Sequence, residues 1–252
     1  MTALGIALAG CSLLVTMLLE GSSPLALAVL PAMLLVFGGT FGAAIAGCTL
    51  ADVRRIGIWF RLAFAADRGP RTTELIDLVI ELATIARRQG MLPLENRART
   101  IQDPFLRHAL QLTVDGVPTD RLRSIMEREM VAYRTDDRAA ERFFARLGGY
   151  APTVGIIGTV IGLVQVLRNL EDPLLLGPLV AGAFVATLWG VLSANFFWLP
   201  MSTKIRRTSD LRQAQMELLL TGVAEILAGT NPRGIKERLR AMLPPAEAAR
   251  AA

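Results

Sequence analysis

The sequence predicts an all-α polytopic membrane protein: four transmembrane helices, a large helical cytoplasmic loop and a helical C-terminal tail. Three observations predict it. Four long stretches carry no ionisable side chain, the basic residues crowd on one side of them, and the charged remainder repeats its apolar residues at helical spacing. Composition alone gives only a bias, since 52% of the 252 residues are hydrophobic and 19% charged, against about 45–50% and about 25% in soluble domains. Glycine and proline, at 22 and 13 residues, are too few for a collagenous or low-complexity chain. Two cysteines exclude a disulfide scaffold or a zinc ribbon.

The charge-free stretches are 1–19, 21–51, 147–167 and 173–203. Each is long enough for the roughly 20 apolar residues that carry a helix across a hydrocarbon core of about 30 Å. The second and fourth, at 31 residues, are expected to tilt or run past the bilayer surface. Core helices of a soluble protein rarely stay free of charge for so long. The first stretch lacks the basic n-region and the small-residue cleavage site of a secretory signal, so it reads as a retained span. Cys11 and Cys48 fall within or at the end of spans, which speaks against a disulfide.

Charge placement sets the expected orientation. Segment 51–150 holds 17 of the 27 Lys and Arg residues and segment 201–252 holds 9, leaving only Arg168. The turns at Glu20–Pro24 and Asn169–Pro178 carry Glu20, Glu171 and Asp172 and no Lys or Arg. By the positive-inside rule, Arg54, Arg55, Arg61, Arg138, Arg142, Arg146, Lys204, Arg206 and Arg207 are cytoplasmic, and so are both termini. The expected order is a first span over 1–19, a periplasmic turn over 20–24 and a second span over 25–50. A cytoplasmic loop over 51–148 follows, then a third span over 149–168, a turn over 169–178, a fourth span over 179–201 and a tail over 202–252.

The polar segments read as helices. Residues 72–88 place Leu75, Ile76, Val79, Ile80, Leu82, Ala83 and Ala86 on one broad face. Asp103-Pro104 is an N-cap followed by proline at the first helical position, and Gly116 closes that helix. Thr119 or Asp120 opens a long helix through Leu122, Ile125, Met126, Met130 and Tyr133 toward Phe143 and Phe144. It meets Gly148-Gly149-Tyr150-Ala151-Pro152, expected to be a hinge at the membrane surface. Residues 206–228 read as a further amphipathic helix ended by Gly229, and Asn231-Pro232 opens a short one that Pro244-Pro245 ends, with the last residues frayed. Loop and tail carry net charges of only +3 and +4. The basic residues have no aromatic platforms between them and no nucleic-acid motif, so they read as orientation charges and solvated helix faces.

Small residues mark the spans: Gly38 and Gly42, and again Gly158 and Gly162, form GxxxG pairs that let helices approach closely in lipid, within the chain or between copies. No span carries a carboxylate, a histidine or a basic side chain, although ion-translocating proteins usually place an ionisable group at mid-membrane. Polar content reduces mainly to Thr16, Thr40, Thr153, Thr159, Gln165, Thr187, Ser193 and Asn195. Thr159 and Thr187 fall near the middle of spans three and four, positioned to face one another or to bond back to their own helices. If the protein moves ions, the binding carboxylate is expected from another chain.

Residues 151–203 resemble the third and fourth spans of the flagellar motor stator A subunit, the MotA/PomA family. The resembling features are Ala-Pro-x-x-Gly entering span three, Gly-Thr-x-x-Gly-Leu, an acidic-Asp-Pro turn, Ala-Thr-Leu-Trp-Gly, and Ala-Asn ahead of Leu-Pro. Leu19-Glu20-Gly21 and Gly38-Gly39-Thr40-Phe41-Gly42 are similar to the family's opening hairpin, and the likeness runs along essentially the whole chain. In the loop, Arg87-Arg88-Gln89-Gly90-Met91-Leu92-Pro93-Leu94-Glu95 resembles the family's rotor-contact segment. That maps the charged pair onto Arg87 and Glu95, with Arg88 as a register alternative and Pro93 a departure that puts the local turn in question.

The resemblance implies a homo-oligomer, a pentameric ring around two B subunits of the MotB/PomB type, whose single transmembrane helices supply the ion-binding aspartate. It implies that Thr159 and Thr187 line the path of a translocated H+ or Na+, with no other cofactor. Pro152 and Pro200 would couple the channel to the loop, which would push the C-terminal domain of the rotor protein FliG. The expected setting is the bacterial inner membrane, and no nucleophile, metal-ligand or phosphate-loop motif suggests an enzyme. Two alternatives stay open. An ExbB/TolQ-type proton-channel subunit would energise outer-membrane processes, although that family places its large loop after the first span. A membrane scaffold would account for the small-residue faces but not for the matched threonines and prolines.

Overall fold

In a computed structural model, residues 2–65 and 71–244 are described, and among them there are nine helices and no strand. The helices are α1 (Thr2–Leu19), α2 (Leu30–Ala46), α3 (Leu50–Phe64), α4 (Thr72–Gln89) and α5 (Pro93–Thr100). They continue with α6 (Pro104–Val114), α7 (Thr119–Arg168), α8 (Pro173–Leu227) and α9 (Pro232–Ala241). The chain divides into two compact units, one of residues 1–66 and 137–207 and the other of 67–136 and 208–252.

In the first unit, α7 and α8 are each long and apolar enough to cross a membrane, and α1 and α2 are shorter apolar helices. Its surface is inverted relative to a soluble domain: Leu4, Leu8, Val15, Ile156, Ile157, Val160 and Phe184 are all more than half exposed. An apolar exterior of this extent needs lipid or another chain against it.

The helix of the second span is shorter than the expected 25–50. Pro24 opens a 3-10 turn, Pro24–Leu27, whose Leu25 N–H is held by Ser23 Oγ. The helix starts only at Leu30, with Pro31 in its first turn where a missing N–H costs nothing, and it widens to a π turn over Leu34–Gly38 before continuing to Ala46. Trp189 Nε1 donates to Leu27 O at 2.8 Å, satisfying a carbonyl that the broken helix leaves free. After Gly47 the chain restarts as α3 behind a capping box, in which Thr49 Oγ1 accepts from Asp52 N–H and the Asp52 carboxylate accepts from Thr49 N–H.

The expected hinge at Gly148–Pro152 is a continuous part of α7. Pro152 removes one backbone N–H, but the glycine serves close approach rather than bending: a methyl on Gly148 would meet Leu199 Cδ2 at 2.5 Å. The deformation lies on α8 instead. A π-bulge over Ala194–Trp198 has the Leu199 N–H bonding Ala194 O. The residue that follows is Pro200, whose ring would press on the carbonyl of Phe196 in a regular helix, and the wider turn relieves that clash. An aromatic cluster fills this end of the unit, with Trp59 against Phe143, Phe60 against Phe144 and Phe41 edge-on to Trp198.

In the second unit the apolar side chains point inward, and Leu82, Leu94, Leu106, Leu110, Leu122, Met126, Val223, Ile235 and Leu239 are fully buried. The expected face of 72–88 is there, with Leu75, Ile76, Val79, Leu82 and Ala83 buried. Asp103 Oδ1 accepts from Leu106 N–H at 2.8 Å, and Gly116 ends α6 at φ 73°. Residues 206–228 are not a separate helix, because nothing interrupts α8 between Leu199 and Leu227. Gly229 at φ 73° stops it, and Asn231 Oδ1 caps α9. The residues after Pro244, expected to fray, lie outside the described residues.

Candidate functional site

The site is built where α7 and α8 run antiparallel at backbone contact. A methyl on Gly162 would lie 2.5 Å from Ala183 Cβ, one on Gly158 2.7 Å from Ala186 Cβ, and one on Gly190 2.6 Å from Ala151 O. On Gly155 it would meet Ala186 O at 2.9 Å and the Cα atoms of Gly190 and Thr187 at 3.2 Å. Along this line only hydrogen atoms fit between the two backbones. Gly158 and Gly162 are therefore packing residues within one chain. Gly38 and Gly42 are not, since a methyl on either meets nothing within 4 Å. Their neighbour Gly39 makes the contact, 3.0 Å from Val154 Cγ1. Spacing pairs glycines, but the rotation of the helix decides which pair faces a neighbour.

This closeness brings the two predicted threonines together. Thr159 Oγ1 and Thr187 Oγ1 are hydrogen-bonded to each other. Thr159 Oγ1 also lies 3.0 Å from Ala183 O across the interface and 3.3 Å from Gly155 O on its own helix, and Thr187 Oγ1 lies 3.4 Å from Gly155 O. The two hydroxyls face one another as expected, but only Thr159 also bonds back to its own helix, since both partners of Thr187 lie on α7. Four oxygens gather with two hydroxyl protons among them, a neutral and acceptor-rich cluster of the kind that suits water, a proton or a hard cation. The pair is half-buried, and the residues around it on both helices, Ile156, Val160, Phe184 and Leu188, are exposed and apolar. Among the described residues no cluster of His, Cys, Asp and Glu could hold a metal ion. Another spanning hydroxyl, Thr40 Oγ1, is buried without a hydrogen-bond partner.

Pro152 and Pro200 sit on the same two helices, Pro152 inside α7 and Pro200 two residues past the end of the bulge in α8. In the second unit, Arg87 and Arg88 occupy the last turn of α4 and Glu95 the first turn of α5. All three are exposed. Gly90 turns the chain between them at φ 84°, a left-handed region that favours glycine. Pro93, the departure in sequence, is the first residue of α5, a position that tolerates its missing N–H. Glu95 is ion-paired with Arg99 at 2.8 Å rather than with Arg87, and Arg97 pairs with Glu81. Sequence reasoning passed over Arg97, Arg99 and Glu81, and it held Gly155 and Gly190 only as members of the Ala-Pro-x-x-Gly and Ala-Thr-Leu-Trp-Gly motifs, without a packing role. The two glycines were within reach of it, because Gly155 precedes Gly158 by three and Gly190 follows Thr187 by three.

The MotA/TolQ/ExbB proton channel family profile matches residues 97–218. The chain is 34% identical over 241 residues to motility protein A of Bacillus subtilis (strain 168), covering 96% of this chain and 89% of the relative. Motility protein A of Aquifex aeolicus is 30% identical over 246 residues, covering 96% and 95%. Among solved structures, the flagellar MotAB stator complex from Bacillus subtilis superposes with a TM-score of 0.92 at 33% identity over 98% of each chain. C. jejuni MotAB gives 0.91 at 28% identity, covering 97% of this chain and 95% of that one. With its four apolar helices, its paired threonines and these likenesses, the chain belongs to the MotA/TolQ/ExbB proton channel family, in the motility protein A branch.

Proposed function

We propose that this chain is the A subunit of a flagellar motor stator, which with a MotB-type partner conducts H+ or Na+ through the bacterial inner membrane and turns that flow into torque. The observation that carries the reading is the Thr159–Thr187 pair, an oxygen cluster half-open on an apolar face. An uncharged cluster of this kind lowers the cost of passing an ion without holding it, so the step that binds and releases the ion falls to a carboxylate. No span of this chain has one, and a partner helix carrying an aspartate against that face would complete the path. Both termini then lie in the cytoplasm, and the A subunits form a pentameric ring around two partner helices. Protonation or ion binding at the partner's aspartate changes its contact with the ring and advances it.

Pro152 and Pro200 interrupt the hydrogen-bond ladders of the two path helices where those helices leave the membrane, and they pass the change to the cytoplasmic unit. There Arg87, Arg88 and Glu95 form an exposed charged corner that meets the C-terminal domain of FliG. Complementary charge at such a contact sets register and encounter rate. Torque rather than bond-making chemistry is the output.

Thr187→Leu in the stator complex is expected to abolish swimming and ion flux into vesicles, whereas Thr187→Ser keeps the hydroxyl and retains both. Unchanged flux in Thr187→Leu would remove the threonine pair from the path. Reversing both charges, Arg87→Glu with Glu95→Arg, is expected to weaken rotor association and motility while leaving flux intact. Unimpaired association would place the rotor contact elsewhere.

A further inference from the structure

Helix α3 has no part in the proposed ion path or rotor contact, yet both of its ends are tied down. Arg146 Nη1, on α7, donates to Gly47 O at 2.6 Å, just ahead of the α3 cap. Lys204 Nζ, on α8, donates to Ala63 O at 3.0 Å and Ala65 O at 2.6 Å, at the other end. Arg146 is the last charge before the charge-free run of α7, and Lys204 is the first after that of α8. Both therefore mark the border of the apolar zone. A 15-residue helix of about 22 Å, held at each end to a border residue, lies along the membrane surface rather than leading away from it.

The two faces of α3 differ. Trp59 and Ala63 are buried, and Ile56, Phe60 and Leu62 pack beside them. The opposite face is open: Leu50 is 70%, Ile58 58% and Phe64 48% exposed, and Arg54 and Arg61 are exposed along the same strip. The two arginines are seven positions apart, about 10 Å along the axis. Neither makes an ion pair among the described residues, whereas Asp52, in the first turn, is held by Thr49. Two guanidinium groups without an ion pair among the described residues, flanked by large apolar side chains on a helix separated by three residues from the end of a span, match a leaflet rich in anionic headgroups. A soluble partner would leave the apolar flank at the level of the acyl chains unexplained.

We propose that α3 is a lipid-reading helix, with Leu50, Ile58 and Phe64 set among acyl chains and Arg54 and Arg61 bound to the phosphates of anionic phospholipids. The inference rests on the membrane placement of α7 and α8, and is independent of the ion path.

The test uses the full chain with its partner subunit in vesicles of phosphatidylglycerol and phosphatidylcholine, in a Cys11→Ser, Cys48→Ala background. A nitroxide on Ile58→Cys is expected to be relaxed more by oxygen than by an aqueous nickel chelate. Energy transfer from a fluorophore at the same site is expected to favour tagged phosphatidylglycerol over tagged phosphatidylcholine. Arg54→Gln and Arg61→Gln should each weaken that preference about fivefold, and the double variant should lose it. Equal transfer to both lipids, a preference that survives the double variant, or nickel-dominated relaxation would overturn the proposal. So would a label shielded from both relaxants, which would mean that a second copy covers the face. A control label on Ile157→Cys, 52% exposed on the side of α7 turned away from Thr159, separates the two failures. Nickel access there would sink the membrane placement itself, and nickel access at Ile58 alone would sink only the lipid-reading helix.

Discussion

The two units of this chain are both helical, and they are held together in opposite ways. In the first, large apolar side chains face outward and the helices meet through glycine and alanine, with Gly155 and Gly190 at backbone contact. In the second, large apolar side chains face inward, and caps and ion pairs finish the surface: Asp103 on Leu106 N–H, Glu81 with Arg97, Glu225 with Arg238 at 2.9 Å. Water rewards burial of Leu and Phe, so the second unit builds a core of them. Lipid gives no such reward, so the helices of the first unit associate where small residues allow close van der Waals contact and hydrogen bonds across the interface. That interface is also where the two threonine hydroxyls meet. In this protein, the close packing of α7 on α8 and the proposed ion path use the same few residues.

If that contrast is right, the largest effect comes from a bulky residue at the glycine contact. Gly190→Val places atoms where Ala151 O already stands 2.6 Å from a first methyl. Swimming and flux should be lost, while Gly42→Val, with open space around it, should leave complex assembly and flux near normal in that interface. Equal loss in both would mean that the α7–α8 line is not special. Next comes the core of the second unit, where Phe105 is 1% exposed. Phe105→Ala should cost about 3–5 kcal/mol, read as protease sensitivity of the second unit. Ile157→Ala, on the exposed side of α7 turned away from Thr159, should change little by the same measure.

A smaller effect follows from the caps. Asp103→Ala removes the acceptor for Leu106 N–H and should cost about 1 kcal/mol, visible as a lower midpoint of thermal unfolding. The smallest is a pH effect at Asp52. The Thr49 backbone N–H, and then the Thr49 hydroxyl, hold its carboxyl below the usual value of 3.8. A carboxylate depressed in the folded state contributes stability that is present above its unfolded value and lost as pH falls through the folded one. Acid sensitivity of the α3 start should therefore appear only below about the ordinary carboxylate range, and Asp52→Asn should remove it. A loss that begins nearer neutral pH would point to another group.

Much of this was legible before any coordinates. The helices over 72–89, 104–114 and 232–241 follow from apolar spacing and from Asp103-Pro104, Gly116 and Asn231-Pro232, all local signals. The exposed positions of Arg87, Arg88 and Glu95 follow from their place around Gly90. Less legible was the region from Pro24 to Gly47, where an unbroken run of apolar residues concealed a 3-10 turn and a break. Hydropathy does not distinguish a helix from a turn when both are apolar, and the turn here depends on Trp189, which lies 162 positions from Leu27 in the chain. The expected hinge at Gly148–Pro152 misjudged the same kind of signal. Glycine can break a free helix, but here, packed against Leu199, it leaves α7 continuous.

By itself, the sequence determined the class of the protein, its charge-free segments, its helical loop and the threonine pair as candidates. Charge and periodicity are carried residue by residue, and they survive whatever the helices do to one another. Only the tertiary structure decided which glycines touch, that Thr159 and Thr187 share a hydrogen bond, that the bulge before Pro200 takes up the strain, and that α3 is pinned at both ends. Each of these depends on the rotation and register of one helix against another. A glycine or a threonine looks the same on every face until a neighbour is set against it.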